Sequence, residues 1–214
     1  MSGTGVEIIP CFADPSEVAV VAKEAGGLGK EWLDAHETYQ NKRGLEIVQN
    51  HFTFALKLSR GDQSFLDRLP NTVALKEKTQ DYVNEMSAEF PSLENWEADE
   101  LSFHLYDDQE VGLSRHRDNL RFIGLVAIVA IEGECDLVIT HKGQDMISPV
   151  LPGDLCLLRA PGLIDTDEEI RPEHSVQNLK TETRLSMMLR ANDRPAEAIP
   201  GFKFNNWDPG QTSD

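Results

Sequence analysis

The residues best suited to chemistry are a histidine and an aspartate one position apart, in His116-Arg117-Asp118. If this pair lies at the end of a strand, both side chains project to the same side, because side chains alternate along a strand. One more imidazole from a distant strand would complete a set of two histidines and one carboxylate, and His174 is the best candidate. Such a set leaves positions open on iron(II) for a co-substrate and dioxygen. The sequence therefore predicts a metal site at His116, Asp118 and His174.

A second motif, Arg184-Leu185-Ser186, follows ten residues after His174, about one hairpin away. A dicarboxylate that chelates iron through its keto-acid end needs a cation for its far carboxylate. Arginine supplies a fixed, two-pronged donor for such a group. Ser186 falls on the same face of a strand as Arg184 and would add a hydrogen bond.

These residues together resemble the iron(II)/2-oxoglutarate-dependent dioxygenase superfamily. The resemblance covers roughly residues 101–190 and rests on the order and separations of His116-x-Asp118, His174 and Arg184-x-Ser186. It implies a double-stranded β-helix fold, iron(II) as the metal, and 2-oxoglutarate and dioxygen as co-substrates. It also implies oxidation of a substrate C–H bond, with hydroxylation as the default outcome and release of succinate and carbon dioxide.

A narrower likeness links the chain to the AlkB-type nucleic-acid demethylases, which carry a tyrosine before their His-x-Asp motif and a pair of arginines. By that likeness Tyr106 would hydrogen-bond 2-oxoglutarate, and Arg190 would hold a site group or the co-substrate. The interval from His174 to Arg184 resembles that of the small-molecule oxygenases instead. A small-molecule substrate is therefore the main prediction, and nucleic-acid demethylation is the alternative.

The charge balance bears on the partners. Asp and Glu number 37 against 20 Lys and Arg, which gives a net charge of −17 over 214 residues. Binding to nucleic acid or to an anionic membrane normally needs a basic surface, so both partners are disfavoured. A second alternative to a small-molecule oxygenase is a β-barrel binding protein that has lost catalysis.

The cysteines and the N-terminus bear on the compartment. Cys11, Cys135 and Cys156 show no CxxC spacing, which favours reduced thiols, and the last two are expected in the core. No charged segment followed by an apolar stretch opens the chain, and no apolar run is long enough to span a membrane. A cytoplasmic location is predicted.

The first half of the chain reads as mainly helical. Asp14-Pro15-Ser16-Glu17 is a typical helix start, and that helix should end at Gly26-Gly27. A second helical segment is expected near residues 30–39, and a long helix over 73–90. Residues 51–59 alternate as a strand does.

The second half reads as short strands separated by Gly, Pro and Asp turns, which favours a jelly roll. The expected strands are 101–106, 122–131, 137–140, 146–150, 155–159, 174–176 and 184–190. The prediction is one α+β domain over residues 1–214. Residues 1–100 give mainly helical support, and residues 101–192 form the double-stranded β-helix (jelly-roll) catalytic core.

The remaining histidines of interest have simpler interpretations. His104 alternates with Phe103 and is a candidate to face the pocket. His36 and His51 are expected at the surface or at caps, and His141 in a hairpin turn.

Overall fold

The structure is a computed structural model that describes residues 3–41, 44–108, 110–166, 169–192 and 204–206. Two antiparallel sheets pack face to face, and helices cover the outer face of the larger sheet. In spatial order the seven-stranded sheet contains β1 (Val6–Ile9), β11 (Leu155–Arg159), β8 (Phe122–Glu132), β13 (Arg184–Asn192), β6 (Glu100–Tyr106), β5 (His51–Lys57) and β2 (Leu33–Asp34). The six-stranded sheet contains β10 (Gln144–Val150), β9 (Cys135–His141), β12 (Glu173–Gln177), β7 (Val111–His116), β4 (Glu46–Gln49) and β3 (Glu37–Gln40). This is the predicted α+β arrangement with a double-stranded β-helix core.

The α-helices are α1 (Pro15–Gly26), α2 (Ser64–Asp67) and α3 (Pro70–Glu85). The predicted start of α1 is confirmed: the Asp14 carboxylate accepts from the backbone of Ser16 and Glu17, and Glu17 accepts from the backbone of Asp14. This reciprocal capping satisfies amide groups that have no partner within the helix. No helix among the described residues is both long and apolar enough to cross a bilayer.

Strand β8 explains why one stretch of the sequence is apolar without interruption. Ala127 and Val129 face the helices, whereas Val126 and Ala130 face the six-stranded sheet. Because both faces of β8 are buried, its sequence lacks the alternation of polar and apolar residues that a half-exposed strand shows.

Strand β13 differs from β8 because its inward face is polar. Leu185, Met187 and Leu189 pack against the helical layer. Alternation turns Arg184 and Arg190 toward the space between the sheets, and both are buried. Buried charge between two sheets is costly, so this part of the interior is a candidate for function.

The helical segment expected near residues 30–39 is wrong. A short 3₁₀ turn at Gly29–Glu31 is followed by β2 and β3, which pair with β5 and β4. Pairing with neighbouring strands outweighs the local helical pattern, because intrinsic propensity is weak compared with tertiary contacts. The first hundred residues thus add strands to both sheets as well as supplying the helices.

Candidate metal centre

The two histidines of the predicted site meet across neighbouring strands of the six-stranded sheet. His116 ends β7, His174 lies near the start of β12, and the two are direct partners in the antiparallel register. Their ring centroids are 4.3 Å apart. Asp118 follows two residues after the end of β7, and one ligand atom from each of the three side chains lies within 4.8 Å of the others. That spacing suits three ligands of a single metal ion.

Backbone contacts set which nitrogen of each ring faces the cluster. His116 Nδ1 lies 2.9 Å from the carbonyl oxygen of Ser114, and His174 Nδ1 lies 3.3 Å from that of Pro172. A carbonyl only accepts, so each Nδ1 carries a proton, and in a neutral ring Nε2 then keeps a free lone pair. Hydrogen bonds of this kind fix the tautomer and orientation of metal-binding histidines.

The protonation states at the centre also favour a cation. Burial lowers the pKa of the His174 imidazole to about 4, so the ring is neutral near pH 7. Burial alone would raise the pKa of the Asp118 carboxyl. Favourable electrostatic interactions with the His174 and His116 rings, followed by those with Arg190 and Arg171, outweigh that effect, and the pKa falls below its ordinary value. The centre therefore offers the neutral His174 imidazole and the Asp118 carboxylate beside His116.

Arg171 holds the segment that carries Asp118. Its guanidinium donates to the backbone oxygen of Asp118 and, through Nε at 2.8 Å, to the carboxylate of Glu169. The Arg171 side chain is only 8% exposed. Sequence inspection missed this residue, because nothing in its local pattern points to a partner more than fifty positions away.

Behind the three ligands, an inner pocket extends between the sheets. Arg184 is buried on β13 opposite Tyr106 of β6, and its guanidinium carbon lies 5.3 Å from the centre of the Tyr106 ring. Both residues line the pocket, and Arg184 Nε has no hydrogen-bond partner among the described residues. The rest of the lining is mainly apolar: Leu113, Ile128, Leu137, Val150, Cys156, Val176 and Met188.

Ser186 lies on the predicted strand face but away from the inner pocket. It shares the inward face of β13 with Arg184 and is fully buried, yet it is not among the residues that line the inner pocket. Its role as a co-substrate ligand stays a prediction. Gly112 of β7 was not singled out by its sequence, but a Cβ there would approach the Tyr106 ring to 2.7 Å. Glycine at this position therefore makes room for Tyr106.

Arg190 lies between the inner pocket and an outer cleft of about 780 Å³ and lines both. Its guanidinium donates to the Ser102 hydroxyl at 3.1 Å and to the Met188 sulfur at 3.0 Å, and lies 5.0 Å from the centre of the Phe122 ring. None of these contacts is with a carboxylate.

Three further histidines line the outer cleft, His36, His51 and His104, and two of them stack. His51 and His104 stack with ring centroids 4.4 Å apart and an interplanar angle of 15°. The pocket-facing interpretation of His104 is confirmed, whereas a surface or capping position for His51 is wrong, because His51 is only 2% exposed. Burial lowers the pKa of His51 to about 4, and the charges of His36 and Arg190 act in the same direction. The sequence pattern that could have placed His51 is alternation, because its side chain lies on the face of β5 opposite to the apolar face.

Comparison with known proteins adds information on the fold. No family model and no curated protein sequence matches this chain. Among solved structures, a Pseudomonas putida prolyl-4-hydroxylase superposes with a TM-score of 0.60 at 14% identity, covering 89% of this chain and 94% of the other. The chain has the fold of the prolyl hydroxylases. A Trichoplax adhaerens prolyl hydroxylase in complex with a peptide fragment of the hypoxia-inducible factor oxygen degradation domain gives 0.59 at 14% identity, with coverages of 89% and 84%.

Proposed function

We propose that this protein is a non-haem iron(II) oxygenase that consumes 2-oxoglutarate and dioxygen and hydroxylates a C–H bond of a small molecule. The observation that carries the proposal is the convergence of His116, Asp118 and His174 in front of a pocket that holds the buried Arg184. The prolyl-hydroxylase fold supports it at the level of architecture. Fold alone does not establish function, which depends on the residues of the site.

The chemistry of the donor set fits iron(II). Two imidazole Nε2 atoms and one carboxylate are ligands typical of non-haem iron enzymes that bind further molecules at open positions. When bound, the metal would supply the activation of dioxygen that oxidatively decarboxylates 2-oxoglutarate and oxidises the substrate. One oxygen atom would enter succinate and the other the new hydroxyl group, with carbon dioxide as the third product.

The residues of the inner pocket fit the co-substrate. We assign the far carboxylate of 2-oxoglutarate to the Arg184 guanidinium, whose fork can bind both oxygens of a carboxylate. Tyr106 packs against that guanidinium and would donate its hydroxyl hydrogen to the co-substrate. Burial raises the pKa of the Tyr106 phenol, although the charge of Arg184 opposes the rise, so the hydroxyl keeps its proton. The apolar lining would exclude water from the reacting end.

A second candidate function is hydroxylation of a residue within a peptide. The open outer cleft favours it, since about 780 Å³ can admit a short segment of chain. The Trichoplax neighbour was solved with a peptide bound. Nucleic-acid demethylation is the third possibility: Tyr106 and two arginines do line the site, but the charge of −17 opposes a polyanion.

The proposal is tested by preparing the protein with iron(II) without oxygen, then adding oxygen and 2-oxoglutarate and measuring succinate. We expect slow uncoupled turnover alone and faster turnover with a substrate from a panel of metabolites, proline-containing peptides and methylated oligonucleotides. Formaldehyde release from the oligonucleotides would identify a demethylase. Metal binding without any turnover would identify a binding protein that has lost catalysis.

A further inference from the structure

Counted over backbone and side chain together, four Lys and Arg residues of the described chain are more than nine-tenths buried: Lys57, Arg121, Arg184 and Arg190. Two of them have carboxylate partners. Lys57 contacts Asp99 and lies 3.7 Å from Glu100, and Arg121 donates to Glu100 at 2.9 Å. Arg184 and Arg190 form no ion pair with any carboxylate of the described residues. The fold therefore pairs its buried cations where they serve structure and leaves two of them unpaired beside the metal centre.

An unpaired buried cation is costly, because burial removes its hydration and only an anion or several strong acceptors restore the loss. Arg190 has one hydroxyl, one thioether and one aromatic face as neighbours, and its Nε has no hydrogen-bond partner within the described chain. Hydroxyl and sulfur are weak acceptors compared with a carboxylate. The position is therefore prepared for an anion that the described residues do not supply.

The two arginines line different spaces, which indicates different roles in binding. Arg184 lines the inner pocket but not the outer cleft, which suits a co-substrate held behind the metal. Arg190 lines both spaces, as His104 does. The charges at the site point the same way. The positive charges of bound iron(II) and the two arginines would exceed the negative charges of Asp118 and dianionic 2-oxoglutarate by one. One carboxylate of the substrate would balance that excess.

We propose that Arg190 is the anchor for a carboxylate group on the substrate, with the stacked imidazoles of His51 and His104 lining the same subsite. This inference rests on the proposed function and gives its substrate a chemical class. The carboxylate can belong to a free acid, such as an amino acid, or to an acidic side chain of a peptide. Arg190 is then a residue of substrate binding and not a ligand of 2-oxoglutarate.

The test uses pairs of compounds that differ only in charge. The iron(II)-loaded protein with saturating 2-oxoglutarate is offered L-amino acids and their amides in one arm. The second arm offers peptides that contain Asp or Glu and the same peptides with Asn or Gln. We expect stimulation of succinate formation by carboxylates of one arm and not by their amides. The arm that responds identifies the source of the carboxylate.

The variants Arg190→Gln and Arg190→Lys assign the effect to this residue. We expect Arg190→Gln to raise the apparent KM for the active carboxylate by at least about tenfold, which corresponds to about 1.4 kcal/mol. The 2-oxoglutarate requirement should change by less than about twofold. Arg190→Lys should recover part of the loss because it keeps the charge. Arg115→Gln removes an exposed arginine that pairs with Asp145 and should behave as the wild type.

Three results would overturn the inference while leaving the proposed function intact. They are uncoupled turnover that no carboxylate stimulates, equal stimulation by acids and amides, and an Arg190→Gln effect mainly on the 2-oxoglutarate requirement. Complete absence of 2-oxoglutarate turnover in the wild type would overturn the proposed function and this inference with it. The thermal unfolding temperature of each variant, compared with that of the wild type, distinguishes loss of function from loss of fold.

Discussion

Arg184 lies over the aromatic ring of Tyr106, its direct partner across strands β13 and β6, at 5.3 Å from guanidinium carbon to ring centre. The pair comes from two strands of the seven-stranded sheet, whereas His116 and His174 come from the facing sheet. The candidate site is thus divided between the sheets. The candidate metal-binding histidines are on one side, and groups suited to an anionic co-substrate are on the other.

The first prediction concerns Arg184. Its replacement by alanine should raise the apparent 2-oxoglutarate requirement by about tenfold to a hundredfold, because a charge-assisted hydrogen bond contributes roughly 1.5–3 kcal/mol. The measurement is succinate formation against 2-oxoglutarate concentration. An unchanged requirement would move the carboxylate anchor elsewhere, with Arg190 as the next candidate.

The second prediction concerns Arg171, which binds the backbone oxygen of Asp118. We expect Arg171→Met to weaken metal binding by about tenfold to a hundredfold, as is usual when a group that orients a metal ligand is lost. Isothermal titration with Mn(II) as a redox-inert substitute measures the effect. Arg115→Met is the matched control, because it also removes one arginine from a carboxylate pair. Equal affinities in the two variants would remove Arg171 from the positioning of Asp118.

The third prediction concerns pH and His51. Burial lowers the pKa of His51 to about 4, below the ordinary value of 6.5, so the unfolded chain binds more protons between these values. Stability from this residue is therefore present above about pH 6.5 and is lost as the pH falls toward 4. His51→Phe should reduce the loss between pH 7 and pH 5 by about 2 kcal/mol. Urea unfolding at both pH values measures the difference, and identical losses in variant and wild type would refute the assignment.

The fourth prediction contrasts two buried arginines. Arg121→Met removes the guanidinium that donates to Glu100 and should cost about 3 kcal/mol of unfolding free energy. Arg190→Met removes a cation without a carboxylate partner and should change stability by less than about 1 kcal/mol. Chemical denaturation compares them. A large loss for Arg190→Met would show that its contacts with Ser102, Met188 and Phe122 are structural.

The sequence predicted the jelly-roll strands and the clustering of His116, Asp118 and His174 better than the rest of the site, for physical reasons. The His116-x-Asp118 spacing is local, and the strand that carries His174 is short and bounded by turn residues. The fully apolar stretch of β8 likewise marked a strand buried on both faces. Features of this kind depend on neighbours along the chain.

Other features depend on partners that the sequence does not display. Strands β2 and β3 form because β5 and β4 offer open edges, although residues 30–39 resemble a helix. The position of His51 beside the site follows from its register with Tyr106. Likewise, the lack of a carboxylate partner for Arg190 among the described residues is visible only in the folded structure. Tertiary contacts decide these cases.

The central claim is that His116, Asp118 and His174 bind one metal ion. Anaerobic titration of the purified chain with iron(II), in the wild type and in His174→Ala, tests it most directly. We expect one ion bound per wild-type chain and a loss of binding in the variant, together with loss of succinate formation. Equal binding of iron by the two proteins, with both folded, would contradict the account.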